Sequence, residues 1–262
     1  MSHRSFASKW FLASAMAVAL VTLPAVSAAA QGTWIPTFTP DGRPDLEGIW
    51  TNPTITSFER PAALAGQEFL TEEEVAALED NAAANNVDRP PARGSVGSYN
   101  RFWFDSGTDV VSTRQTSLVV DPPDGRVPLR PEAIERRAYD LEHIGDDWVH
   151  MSPWDRCITR GVPGGMFPAG YNNAYQIVQI PGHVVIFYEM IHETRIIPVD
   201  NSPHLPANVR QWNGDSRGRW EGNTLVVDTT NLNAKSRLDV VGDFFSDQAH
   251  ILERFIFIDG TT

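Results

Sequence analysis

Apolar and polar residues alternate with a two-residue period through much of the chain after Ala174, and with a helical period in only two segments. Ala174 to Ile180 and His183 to Met190 flank Pro181-Gly182. Proline presets φ there and glycine takes the positive φ of a tight turn, so the two runs predict a hairpin. Arg219-Trp220 and Thr224 to Thr229 flank Glu221-Gly222-Asn223 and predict a second hairpin with a short glycine-containing loop. Further strands are expected at Gly48-Ile49-Trp50, at Gln115 to Val120 ahead of the turn Pro122-Pro123-Asp124-Gly125, and at Ile251 to Ile258.

The clearest helix begins after Thr71, whose hydroxyl caps the backbone while Glu74 reaches back in a capping box and Leu70 packs on Val75. Acidic residues in its first turn suit the helix dipole, and Asn85-Asn86 ends it. A second helix is expected from Pro131 to about His143. No amphipathic helix intervenes after Ala174, which excludes a parallel α/β sheet. The expected fold is therefore mainly β: an antiparallel meander or lipocalin-like barrel with one or two covering helices.

Three regions follow from this pattern. Residues 1–30 read as a signal peptide, with Arg4 and Lys9 ahead of an apolar run from Trp10 to Val26 and a small-residue cleavage site at Ala28-Ala29-Ala30. Residues 31–114 form an extended arm, a helix and a linker rich in Pro and Gly from Asn86 to Ser98. Residues 115–262 form the antiparallel β domain. Its last strand ends at Asp259-Gly260, a preferred hairpin turn, so a partner strand is expected beyond Thr262.

A periplasmic or secreted location, free of the membrane after processing, follows from the signal peptide. Cys157 is the only cysteine, so stability rests on packing and not on an intramolecular disulfide. The formal charge of -12 becomes -14 when Arg4 and Lys9 leave. That balance excludes nucleic acid as a partner and favours neutral, cationic or sugar-like small molecules.

Chemistry-bearing side chains concentrate between His183 and Asp228. Glu189, His192, Arg195, His204 and Glu221 are the candidate catalytic residues: carboxylates and imidazoles move protons, and a guanidinium holds an anionic group. Trp212, Asp215, Arg217 and Trp220 are the candidate ligand contacts, since indole faces beside carboxylates suit sugars and flat apolar rings. No metal and no cofactor is expected. His192, His204 and His250, with Glu189 or Glu193, lack the spacing of a known ligand set.

Two motif matches fail in context. Gly214-Asp215-Ser216-Arg217-Gly218 fits the serine-hydrolase G-x-S-x-G pattern, but a hairpin follows it where a nucleophile elbow requires a helix. Asp247-Gln248-Ala249-His250 imitates a hydrolase Asp-x-x-His too soon after Ser216 to fit the intervening sheet. Cys157 reads as a small buried hydrophobe, and the glycines from Gly161 to Gly170 read as ordinary loop packing or as the rim of a site.

Asp41-Gly42-Arg43-Pro44-Asp45-Leu46-Glu47-Gly48-Ile49-Trp50, Asp155-Arg156-Cys157-Ile158-Thr159-Arg160-Gly161, Glu189-Met190-Ile191-His192 and Trp220-Glu221-Gly222-Asn223-Thr224-Leu225-Val226-Val227-Asp228 together resemble a group of secreted bacterial proteins. The resemblance spans nearly the whole mature chain. It implies a shared fold, export and a chain continuing past Thr262, and it assigns no activity. Two readings of function follow: an exported hydrolase or lyase using carboxylate and histidine acid-base chemistry on a small or sugar-like molecule, or a non-catalytic lipocalin-like binding protein. Convergence of a carboxylate and a histidine on one solvent-reachable cavity favours the first.

Overall fold

The computed structural model describes residues 36–88, 103–238, 242–259 and 262. The expected signal peptide lies outside the described residues, as do most of the linker and the turn glycine Gly260. The described strands form two antiparallel sheets. The first holds β1 (Gly48–Trp50), β2 (Tyr175–Ile180), β3 (His183–Tyr188) and β4 (Thr194–Pro198) in that order. The second holds β5 (Asp215–Glu221), β6 (Thr224–Thr230) and β7 (Ile251–Ile256).

Both expected hairpins form. Pro181-Gly182 joins β2 to β3 with Ile180 opposite His183, and Gly222 takes φ 61° in the loop that places Glu221 opposite Thr224. The fold is mainly β, as the alternation predicts, but the two sheets do not close into a barrel among the described residues. They face each other instead. Ile177, Val184, Ile186, Tyr188 and Ile197 from the first sheet meet Leu225 and Val227 from the second, Leu46 joins this core, and the partly buried Trp50 and Trp220 pack against it. Gly218 marks the closest approach, because a Cβ there would lie 2.8 Å from Val199 and 3.0 Å from Ile197.

The first expected helix is α1 (Glu72–Asn85), with both halves of its capping box present: Glu74 N donates to Thr71 Oγ1 at 3.2 Å, and Thr71 N donates to Glu74 Oε2 at 2.8 Å. The second is α2 (Pro131–Glu142), with proline in its first turn. Helix α1 buries none of its residues and α2 buries Ala133 alone, so the sheets hold the core. No described helix is long and apolar enough to cross a membrane.

One expected strand is absent. Gln115 makes only an isolated bridge to Phe69, and the residues after it bond to irregular backbone: Leu118 N to Ser57 O at 2.9 Å and Val119 N to Phe58 O at 3.0 Å. Ser117 Oγ also donates to Val119 O at 2.7 Å, a local bond that competes with a ladder. β-propensity at 115–120 finds no straight neighbour to pair with.

Candidate functional site

The hairpin register places Arg217 opposite Asp228 and sends Asp215, Arg217 and Asp228 to the outer face of the three-stranded sheet. The connection entering β5 lays His204 across them. Its Nδ1 lies 2.9 Å from Asp215 Oδ2, and its Nε2 lies 3.0 Å from Asp228 Oδ1. Each ring nitrogen of His204 thus has a carboxylate oxygen within hydrogen-bond distance. His250 Nε2 reaches the other Asp228 oxygen at 2.8 Å. Asp215 also accepts from Arg217 Nη1 at 2.7 Å and from Leu205 N at 2.9 Å, while Arg217 Nε donates to Pro203 O at 3.0 Å. Every member has a partner, and the network ties the connection to the sheet.

Arg195 lies on the inner face of β4 and bridges the two sheets. Its Nη1 and Nη2 donate to the Glu253 carboxylate at 3.0 and 2.5 Å, and Nε and Nη2 donate to Ser216 Oγ and Thr229 Oγ1 at 3.1 and 2.9 Å. Burial works against this charge, but Glu253 and, less strongly, Tyr188 together hold the Arg195 pKa above its ordinary range. Beside it, burial pushes the Tyr188 phenol up to about 12. Arg195 is thus committed to an internal carboxylate. Ser216 of the G-x-S-x-G match is buried near the start of β5 between Arg195 and Thr229, with no elbow around it. Glu193 is likewise engaged, accepting from Thr159 Oγ1 at 2.7 Å and from Asn213 Nδ2.

Glu189 and His192 sit apart from both networks, at the bend between β3 and β4. Ile191 and His192 both adopt left-handed backbone, with φ 64° and 54°. For a β-branched isoleucine this is a true outlier, costing about 1–3 kcal/mol. The bend aims both site side chains at a cavity of about 310 Å³ walled by Ile49, Tyr175, Gln176 and Phe187. Ile49, Gln176 and Phe187 form one row across the outer face of the four-stranded sheet. The Phe187 ring meets His192 edge-on at 6.4 Å. Among the described residues, neither the Glu189 carboxylate nor the His192 ring has a hydrogen-bond or ion-pair partner.

The remaining candidates are scattered. Glu221 is exposed and pairs with Arg219 at 2.6 Å. Trp220 packs on the core and lines a second cavity of about 310 Å³ beside Arg43 and Glu47. Trp212 is half-buried on the connection before β5. The predicted set therefore separates into a self-paired network (His204, Asp215, Arg217), an inter-sheet tie (Arg195) and an unpaired pair in a cavity (Glu189, His192). Among the described residues, no group of three or more His, Cys, Asp or Glu side chains is arranged to hold a metal ion.

Sequence reasoning left Asp228, His250 and Glu253 out of the site. The second hairpin carries the signal for Asp228, but only with the two-residue loop Gly222-Asn223 that forms, and not with the expected Glu221-Gly222-Asn223, does 217 lie opposite 228. Nothing local signals His250 or Glu253. Cys157, expected to be buried, is exposed, with φ 53°. Gly161 explains part of the glycine run: at φ 78°, a Cβ would lie 2.9 Å from both Arg237 O and Ser236 Oγ. Comparison with protein-family models, with curated proteins and with solved structures found no match to this chain.

Proposed function

We propose that this chain is an exported, periplasmic or secreted hydrolase or lyase that transfers protons on a small neutral or sugar-like molecule held at the Glu189/His192 cavity. One observation carries the reading: a carboxylate and an imidazole line the same solvent-reachable space, and among the described residues neither is spent on an internal partner. Structural ion pairs explain the other candidates and leave this pair unexplained. The strained backbone at Ile191 and His192 adds weight, because such strain persists where the surroundings enforce a geometry. His192 serves as general base or acid and Glu189 as its counterpart, while Phe187 and Ile49 supply apolar contact. Arg195 has no part in the chemistry on this reading.

A non-catalytic binding protein is the alternative, favoured by the apolar character of the same walls. The test is a screen of hydrolase and lyase substrates on the full chain, with and without chelator, followed by His192→Asn and Glu189→Gln. Asparagine tolerates left-handed backbone, so it removes the imidazole without adding strain. Each variant should lose about a hundredfold or more in rate while keeping its melting temperature. Variants that lose stability in step with activity would move both residues into the structural class. A ligand bound without turnover would favour the alternative.

A further inference from the structure

Arg160 is 8 % exposed, and among the described residues its guanidinium has neither a hydrogen-bond acceptor nor a carboxylate partner. The other buried arginines are engaged: Arg195 with Glu253, and Arg60 with Thr116 Oγ1 at 2.8 Å and Pro123 O at 2.7 Å. Arg160 has only the Trp154 ring, 5.0 Å from its guanidinium carbon, and the more distant influence of the Tyr171 phenol. A cation-π contact of that kind offsets a fraction of what burying a charge costs. Burial correspondingly lowers the Arg160 pKa from its ordinary range.

The guanidinium borders two spaces. One, shared with Trp154 and Arg237, has a volume of about 10 Å³, room for a single water. The other is a cavity of about 300 Å³, at the lower end of small-molecule sites. Phe58, Phe167, Leu118 and Pro168 give it apolar walls, with the two phenylalanine rings 4.8 Å apart. Ser106 and Thr56 supply hydroxyls whose protons are donated to no described residue; Thr56 Oγ1 only accepts, from Val111 N at 3.0 Å. Among the described residues, no carboxylate lines this cavity.

We propose that this cavity is a binding site for a small aromatic or apolar monocarboxylate, with Arg160 gripping the carboxylate and Phe58 and Phe167 holding the body. A guanidinium presents a planar fork matched to the two oxygens of a carboxylate. Arg160 is the one charged side chain among the described residues that line the cavity, so it compensates one negative charge, which sets a monocarboxylate above a phosphate dianion. The strongly acidic chain does not oppose this, because close charges in a low-dielectric cavity outweigh distant, screened ones. The site is separate from the Glu189/His192 cavity and stands whether or not that cavity is catalytic.

Isothermal titration of the full chain with 3-phenylpropionate, with its neutral amide and with inorganic phosphate tests the assignment. The carboxylate should bind, and the amide and phosphate should bind at least about thirtyfold more weakly. Arg160→Met should cost the same factor in carboxylate affinity while leaving the melting temperature unchanged or raised, since it removes an uncompensated buried charge. Arg160→Lys keeps the charge without the fork and should fall between the two. Absence of carboxylate binding at millimolar concentration, equal binding of the amide, or phosphate binding as tight as the carboxylate would overturn the proposal. So would an Arg160→Met chain that melts several degrees lower with carboxylate affinity unchanged.

Discussion

The outer face of the three-stranded sheet and the cavity beside Arg160 hold similar side chains in opposite states. On the sheet, His204, His250, Asp215, Asp228 and Arg217 satisfy one another within 2.7 to 3.0 Å. Beside Phe58 and Phe167, Arg160 is buried as well but has no such partner among the described residues. Charge density alone therefore says little about where a ligand goes. A group whose hydrogen-bonding capacity is spent inside the chain clamps the fold, whereas one buried with that capacity unspent costs stability and calls for a compensating ligand. The Glu189/His192 bend belongs with Arg160 in this respect, although its side chains are exposed.

The largest expected effect tests the clamping side of the contrast. Glu253→Ala strands the Arg195 guanidinium between the sheets and should lower the unfolding free energy by about 3–5 kcal/mol, read from urea denaturation. Removing both partners together with Arg195→Met and Glu253→Leu should recover much of that loss, because the uncompensated charge goes with its partner. If Glu253→Ala costs less than about 1 kcal/mol, solvent reaches Arg195 and the distinction between spent and unspent arginines fails.

Parts of this contrast were legible from residue order, for physical reasons. Turn chemistry at Pro181-Gly182 and around Gly222 sets both hairpins, but the register of the second was not legible: the expected loop Glu221-Gly222-Asn223 is one residue longer than the Gly222-Asn223 loop that brings Asp215, Arg217 and Asp228 to one face. The capping box at Thr71 is a local device and is equally readable. Gln115 to Val120 misled because β-propensity describes a residue's fit to a neighbour and cannot supply one. Arg195 and Glu253 meet only where two sheets pack, 58 residues apart. Arg160 was harder still, since having no partner is a property of everything around it. Of the catalytic candidates, Glu189 and His192 share one cavity because a single bend carries both, whereas Arg195, two residues past Glu193, points inward by strand parity.

Tyr188, beside Arg195, gives a second and smaller test of how dry the space between the sheets is. Burial pushes its phenol up to about 12, against about 10 for an unfolded chain. The folded state thus holds the proton more tightly. Its contribution is fully present below about pH 10 and is lost as pH rises towards the folded value: about 1.4 kcal/mol by about pH 11, and about 2.7 kcal/mol once both states are ionised. Tyr188→Phe has no proton to lose. The difference in unfolding free energy between the two chains should therefore change by about 1.3 kcal/mol from about pH 9 to about pH 11. A constant difference over the window would mean that water reaches the phenol in the folded chain.

The smallest expected loss of stability decides whether the two histidines have been assigned to the right regions. His204→Ala removes two contacts to carboxylates, but Asp215 keeps Arg217 and the Leu205 amide, and Asp228 keeps His250. The ring is also 31 % exposed, so the cost should be only about 1 kcal/mol, with any catalytic or ligand-binding activity intact. His192→Asn should do the reverse, sparing stability and removing activity. Measuring both quantities in both variants makes the comparison reciprocal. Loss of activity in His204→Ala at an unchanged melting temperature would transfer the site to the outer face of the three-stranded sheet. The Asp215-His204-Asp228-His250 chain would then be a proton relay, and partnership within a network would no longer distinguish clamp from site.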